Sequence, residues 1–166
     1  SISIVATREW VASTMTIQEC DMSKQMTPSL GGSMVDVTQV SDSEILAEYV
    51  NRFTIIAGEA IKSSKEVANH LRSYFSDASK REKFVVVFLN GQHEVISTEV
   101  LFEGSLTTSA VYPREVIAKV IDLGAAAVII GHNHPSGLIT PSNSDRAVTR
   151  KLQTALNSID VDILDH

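Results

Sequence analysis

Apolar and polar positions change rhythm several times along the chain, and each change predicts an element. After the capping box Ser41-Asp42-Ser43-Glu44, the residues Ile45, Leu46, Tyr49, Val50 and Phe53 recur at helical spacing. A second box, Ser63-Ser64-Lys65-Glu66, precedes Val67, Leu71, Tyr74 and Phe75 on one face of another helix. Residues 84–89 (Phe-Val-Val-Val-Phe-Leu) are unbroken apolar positions, mostly β-branched or aromatic. That is the pattern of a central strand buried on both faces. Asn90-Gly91 then predicts a two-residue hairpin with an antiparallel return over 93–102. Pro113 suits the first position of a helix, Val116, Ile117, Val120 and Ile121 form its stripe, and Gly124 its stop. Residues 125–130 read as a third strand, reached by a helical crossover and so parallel to the second. A loop over 131–141, a helix from Ser142 carrying Val148, Leu152 and Ala155, and a fourth strand over 161–164 complete the pattern. The fold class is α/β, a mixed β-sheet with packed helices.

Residues 1–40 hold Ser, Thr, Met and Gln without a sustained period, and Pro28-Ser29-Leu30-Gly31-Gly32 reads as a turn or linker. The chain therefore divides into an N-terminal extension, 1–60, partly flexible with one helix, and a main domain, 61–166. With 43% apolar and 20% charged residues among 166, the composition is that of a soluble globular protein. No apolar run approaches a membrane span, and the first ten residues do not resemble a signal peptide. Cys20 is the only cysteine, which excludes an internal disulfide and a cysteine-built zinc cage, and indicates a reducing, cytoplasmic setting. The net charge of −6 comes mostly from residues 1–60, with 3 basic and 8 acidic residues against 11 and 12 in the remainder. Neither part has the basic excess that phosphate binding requires, so nucleic acid is a disfavoured partner. Oligomeric state is left open.

The chemistry gathers after the third strand, in Gly131-His132-Asn133-His134-Pro135-Ser136-Gly137. In an extended segment residues i and i+2 point the same way, so His132 and His134 can face one point. Both leave the carboxyl end of a strand, where open α/β sheets collect ligands. Asp145 follows eleven residues after His134, in the first turn of the next helix. Two histidines and a carboxylate are ligands that Zn²⁺ accepts, with a fourth position open for water, the arrangement of a catalytic site. Other readings stand beside this one. Ser142-Asn143-Ser144-Asp145 also fits a helix cap with an acidic third residue, and the prolines and glycines also fit a plain connection.

The spacing His132-x-His134, seven residues, Ser142, two residues, Asp145 resembles the JAMM motif of the JAB/MPN metalloprotease superfamily. The fuller string His-Asn-His-Pro-Ser-Gly with Pro-Ser-x-x-Asp is similar to its RadC branch. The likeness continues in Leu101-Phe102-Glu103-Gly104-Ser105-Leu106, Pro113-Arg114-Glu115-Val116 and Ile163-Leu164-Asp165-His166, and covers about residues 62–166. It implies a JAB/MPN-like core, related to cytidine deaminases, with Zn²⁺ held by His132, His134 and Asp145. It also implies Glu82 as the general base and Ser142 as a hydrogen-bond donor to the oxyanion, acting on a peptide or protein substrate. From the residues alone Glu82 is a solvated charge between Arg81 and Lys83, and Glu94, Glu99, Glu103 and Glu115 compete for the role. The family pattern continues past residue 166 with further strands, so the resemblance implies a core truncated at its C-terminal strands. Residues 1–60 show no helix-hairpin-helix repeat of the kind RadC proteins carry for DNA.

Three function classes follow: a JAMM-type hydrolase of peptide or isopeptide bonds, a non-catalytic MPN-like binding module, and a DNA-repair factor or nuclease. The contiguous letters His-Asn-His do not support the last, since the residues of HNH nucleases are far apart in sequence.

Overall fold

The apolar run at 84–89 occupies the middle of the sheet. The computed structural model describes residues 5–6, 39–76, 81–104, 112–135 and 140–165. Strand β2 (Glu82–Leu89) pairs antiparallel with β3 (Val95–Gly104) on one side and with β4 (Ala127–Asn133) on the other. The remaining edge of β4 is shared by β5 (Asp162–Asp165) and by the two-residue β1 (Val5–Ala6), both parallel to it. Every residue of β2 from Lys83 onward is buried, because apolar layers cover both faces of the sheet.

The layers follow the period of two. Phe84, Val86 and Phe88, with Val128 and Ile130, face two helices, α3 (Pro113–Leu123) and α4 (Asn143–Asn157), through Val116, Val120, Val148, Leu152 and Leu156. Val85, Val87 and Leu89, with Ala127 and Ile129, face Val67 and Leu71 of α2 (Ser64–Phe75) and Ile55. Helix α1 (Asp42–Phe53) contributes no buried residue. It rests on α2, where the Tyr49 hydroxyl donates to the Asn69 carbonyl at 3.4 Å. The segment after α1 runs along the start of β3, with Gly58 N–H donating to Val95 O and Val95 N–H to Glu59 O. Among the described residues no helix is long and apolar enough to cross a membrane.

Most caps follow the pattern read from the chain. Ser41 and Glu44 close a reciprocal box, and Gly124 ends α3 in the left-handed conformation at φ 64°. The second box is only half formed. Ser63 Oγ accepts the Glu66 N–H, but the Glu66 carboxylate takes the N–H of Lys62, one residue before the cap.

Two expectations need correction. The hairpin has a three-residue loop, Gly91 to His93, instead of two. The Asn90 side chain accepts the N–H groups of both Gln92 and Glu94, which carries the turn one residue onward, and His93 takes φ 60° in the bulge position usually given to glycine. The return strand accordingly runs over Val95–Gly104, two residues later than 93–102. Strand β4 likewise does not stop at residue 130; it continues through Gly131 to Asn133. Gly131 is there because Leu71 presses on the strand: a Cβ would lie 2.8 Å from Leu71 Cδ1. The glycine marks a close approach, not the start of a loop. The direction of β4 matches the expected crossover, since it runs with β3, and β2 lies between the two. The innermost position near the end of α4 is Leu156, with Ala155 half-buried. The predicted turn at 28–32 lies outside the described residues.

Candidate metal centre

Because β4 reaches Asn133, strand geometry aims His132 at the face that carries Val128 and Ile130, beneath the first turn of α4. His134 follows two residues on, and Asp145 enters from α4. His132 and Asp145 are buried, at 4% and 6% exposure. The two Nε2 atoms lie 3.0 Å apart. His132 Nε2 is 3.7 Å from Asp145 Oδ1, and His134 Nε2 is 3.4 Å from Asp145 Oδ2. A tetrahedral ion with bonds of about 2.0–2.1 Å sets its donors roughly 3.3 Å apart. The separations lie around that value, although the two histidines approach different oxygens of Asp145. One donor atom from each residue lies within 4.8 Å of the other two, so the residues fit a metal ion.

The protonation states suit the same task. Burial pushes His132 below the ordinary histidine range, and the charge of His134 adds to this, while the carboxylates of Asp145 and Glu82 oppose it without prevailing. The imidazole is therefore neutral, with a lone pair to give. For Asp145, burial acts upward, but the hydroxyl and backbone hydrogen bonds of Ser142 and the two histidines hold its carboxyl below the usual range. Two imidazoles and one carboxylate make a donor set for a divalent ion of borderline softness.

Ser142 is the N-cap of α4 and is exposed. Its Oγ accepts the Asp145 N–H at 3.1 Å, and its own N–H donates to Asp145 Oδ2 at 2.6 Å. The capping reading and the ligand reading of Asp145 are thus compatible. One carboxylate can serve the helix through Oδ2 and still present Oδ1 to His132.

Glu82 is the first residue of β2 and half-buried. Phe84 lies directly opposite His132 in the antiparallel register. Opposite residues share a face and so do residues two apart, which puts Glu82 on the histidine face. The competing glutamates stand elsewhere. Glu94 is engaged by Asn90 in the hairpin at the far end of β2. Glu99 pairs with Lys119, and Glu115 with Arg114. Glu103 lies opposite Lys83, on the other face of the sheet. One residue in the motif gave no signal in the sequence. Asn133, lodged between the two histidines, reads as a spacer, yet its amide bonds to the backbone of Lys83 in β2 and of Arg81 just before it.

Residues 61–166 match the family model described as a RadC-like JAB domain. The chain belongs to that family. The RadC-like chain is similar to proteins named only UPF0758: 46% identical over 113 residues to one from Vibrio campbellii and to one from Vibrio parahaemolyticus. It is 43% identical over the same length to one from Vibrio cholerae. Each match covers 68% of this chain and 50% of the relative. This chain thus spans about half the length of the curated relatives it matches. Strands β2 to β5, helices α2 to α4 and the His132–His134–Asp145 group lie inside the matched residues, and β1 and α1 precede them.

Proposed function

We propose that this RadC-like JAB domain is a zinc-dependent hydrolase of the JAMM type, cleaving a peptide or isopeptide bond in a protein substrate. The observation that carries the reading is the convergence of one donor atom each from His132, His134 and Asp145 within 4.8 Å of one another. A zinc ion held there supplies Lewis acidity toward a carbonyl and toward water. Glu82 stands on the same face and takes a proton from the attacking water, then delivers it to the departing amine. The Ser142 hydroxyl accepts the Asp145 N–H through its oxygen and keeps its own proton to donate to the oxyanion. Asp145 stays ionised, held by Ser142, and the His132 imidazole stays neutral by burial. The lone Cys20 fits work in a reducing, cytoplasmic setting, and the acidic balance makes nucleic acid the weaker partner.

The deciding experiment is metal analysis of the purified chain beside His132→Ala and Asp145→Ala, joined to assays on fluorogenic peptides and a lysine-linked isopeptide. About one zinc per chain is expected in the wild type, with little in either variant, and hydrolysis that Glu82→Gln abolishes. Zinc held tightly with no hydrolysis of either substrate class would make the domain a binding module. Absence of zinc would end the reading.

A further inference from the structure

The antiparallel ladder between β2 and β4 ends at Phe84 and His132, yet β2 runs on for two residues toward the candidate site. Over those residues β3 supports it on one side, with Glu82 opposite Gly104 and Lys83 opposite Glu103. On the other side a side chain takes the place of the ladder. Asn133 Oδ1 accepts the backbone N–H of Lys83 at 2.6 Å, and Asn133 Nδ2 donates to the backbone carbonyl of Arg81 at 3.3 Å. The two bonds straddle Glu82. The bond to Lys83 is buried, with Asn133 and Lys83 each 8% exposed, while the bond to Arg81 is partly buried; burial strengthens a satisfied hydrogen bond. A carboxamide has one accepting and one donating end, which is what an N–H and a C=O on residues two apart require.

We infer that Asn133 is a positioning residue: by clasping Arg81 and Lys83 it sets where the Glu82 carboxylate stands relative to the His132–His134–Asp145 group. This rests on reading that group as a metal centre with Glu82 as its base. Strand alternation makes the device possible. His132 and His134 go to one face, and Asn133 between them goes to the other, where it reaches across to β2. The same three residues therefore present two metal donors and fix the backbone that carries the base. Catalytic groups need placement to within about half an ångström, and the clasp holds the start of β2 on the side away from β3.

The test loads the full chain with Co²⁺ as a spectroscopic probe, in wild type, Asn133→Ala, Glu82→Gln and the double variant. All four are expected to bind one Co²⁺. Asn133→Ala should change the visible spectrum in the same direction as Glu82→Gln, and the double variant should match Glu82→Gln alone. Hydrogen exchange at the Lys83 amide should quicken by up to about tenfold in Asn133→Ala, with Val86 and Ile130 protected as before. Asn133→Gln keeps the carboxamide but adds a methylene, so it is expected to fold and to give an intermediate spectrum. It carries the test if the alanine variant does not fold. Folded Asn133 variants with the wild-type cobalt spectrum, beside a shifted Glu82→Gln, would overturn the positioning role and leave the metal centre standing. An unshifted Glu82→Gln would overturn it too, by removing Glu82 from the ion. A wild type that takes up no cobalt removes the underlying reading before any substitution is made.

Discussion

Ser142 and Asp145 bind each other twice at the start of α4, each giving a backbone N–H to the other's side chain. The pair closes the helix end and at the same time fixes the rotation of the Asp145 carboxylate toward His132 and His134. A capping motif and a candidate ligand motif are here one set of atoms, which is why the local pattern Ser-x-x-Asp reads equally well as either.

This sharing separates two variants. Ser142→Ala loses one capping bond and should cost about 1 kcal/mol in denaturant unfolding. It should keep the metal, because the Ser142 N–H still anchors Asp145. If the hydroxyl also stabilises the oxyanion, kcat falls by about 10²–10³. Asp145→Ala should lose both the cap and the ion, seen in one preparation by metal analysis and thermal melting.

Glu82→Gln is expected to retain the ion with near wild-type affinity and to lose about 10²–10⁴ in turnover. Glu103→Gln is the control, since Glu103 sits on the opposite face of the same sheet edge. Equal losses in both would mean that neither carboxylate is the base.

His70 gives a pH dependence unrelated to the metal. It is fully buried; its Nδ1 accepts the Ile55 N–H at 2.9 Å, which puts the ring proton on Nε2, 2.8 Å from Thr98 Oγ1. Burial pushes its pKa down from 6.5 to about 4. The unfolded chain therefore takes up a proton that the folded chain refuses, and stability rises with pH across that interval. Its contribution should be complete above pH 6.5 and drain away as pH falls toward 4. Melting temperature followed from pH 7.5 to 4 should show the decline in wild type and a shallower one in His70→Gln.

Gly131→Ala should destabilise the fold by about 1–3 kcal/mol, because the new methyl group would meet Leu71 at 2.8 Å. Leu71→Ala, itself destabilising, should relieve the clash, so the double variant should lose less than the sum of the two. Additive losses in denaturant titrations would show that the strand absorbs the methyl group without help from α2.

Much of the fold was legible because the signals were local. The capping residues Ser41, Ser63 and Ser142, the proline opening α3 and the apolar run of β2 each state a boundary within a few residues. The misread places depend on distant partners. Gly131 looked like a strand end because its reason for being glycine, Leu71, lies sixty residues upstream on α2. Asn90-Gly91 promised a tight turn, but the Asn90 side chain draws Gln92 and Glu94 inward and lengthens it. At the candidate site the spacing of His132, His134 and Asp145 was readable because all three follow from one strand–loop–helix passage. Glu82 and Asn133 were not readable from local pattern, since their relation to the group is a matter of sheet register.

The three candidate donors lie within fourteen residues, from the end of β4 to the first turn of α4, while Glu82 arrives from a strand fifty residues upstream. Under the proposed roles, gripping an ion and using it are therefore separately heritable. A single change at the mouth of β2 would leave a relative that still carries its cation but has become inert, and such a descendant would be indistinguishable from an active one by its histidines alone.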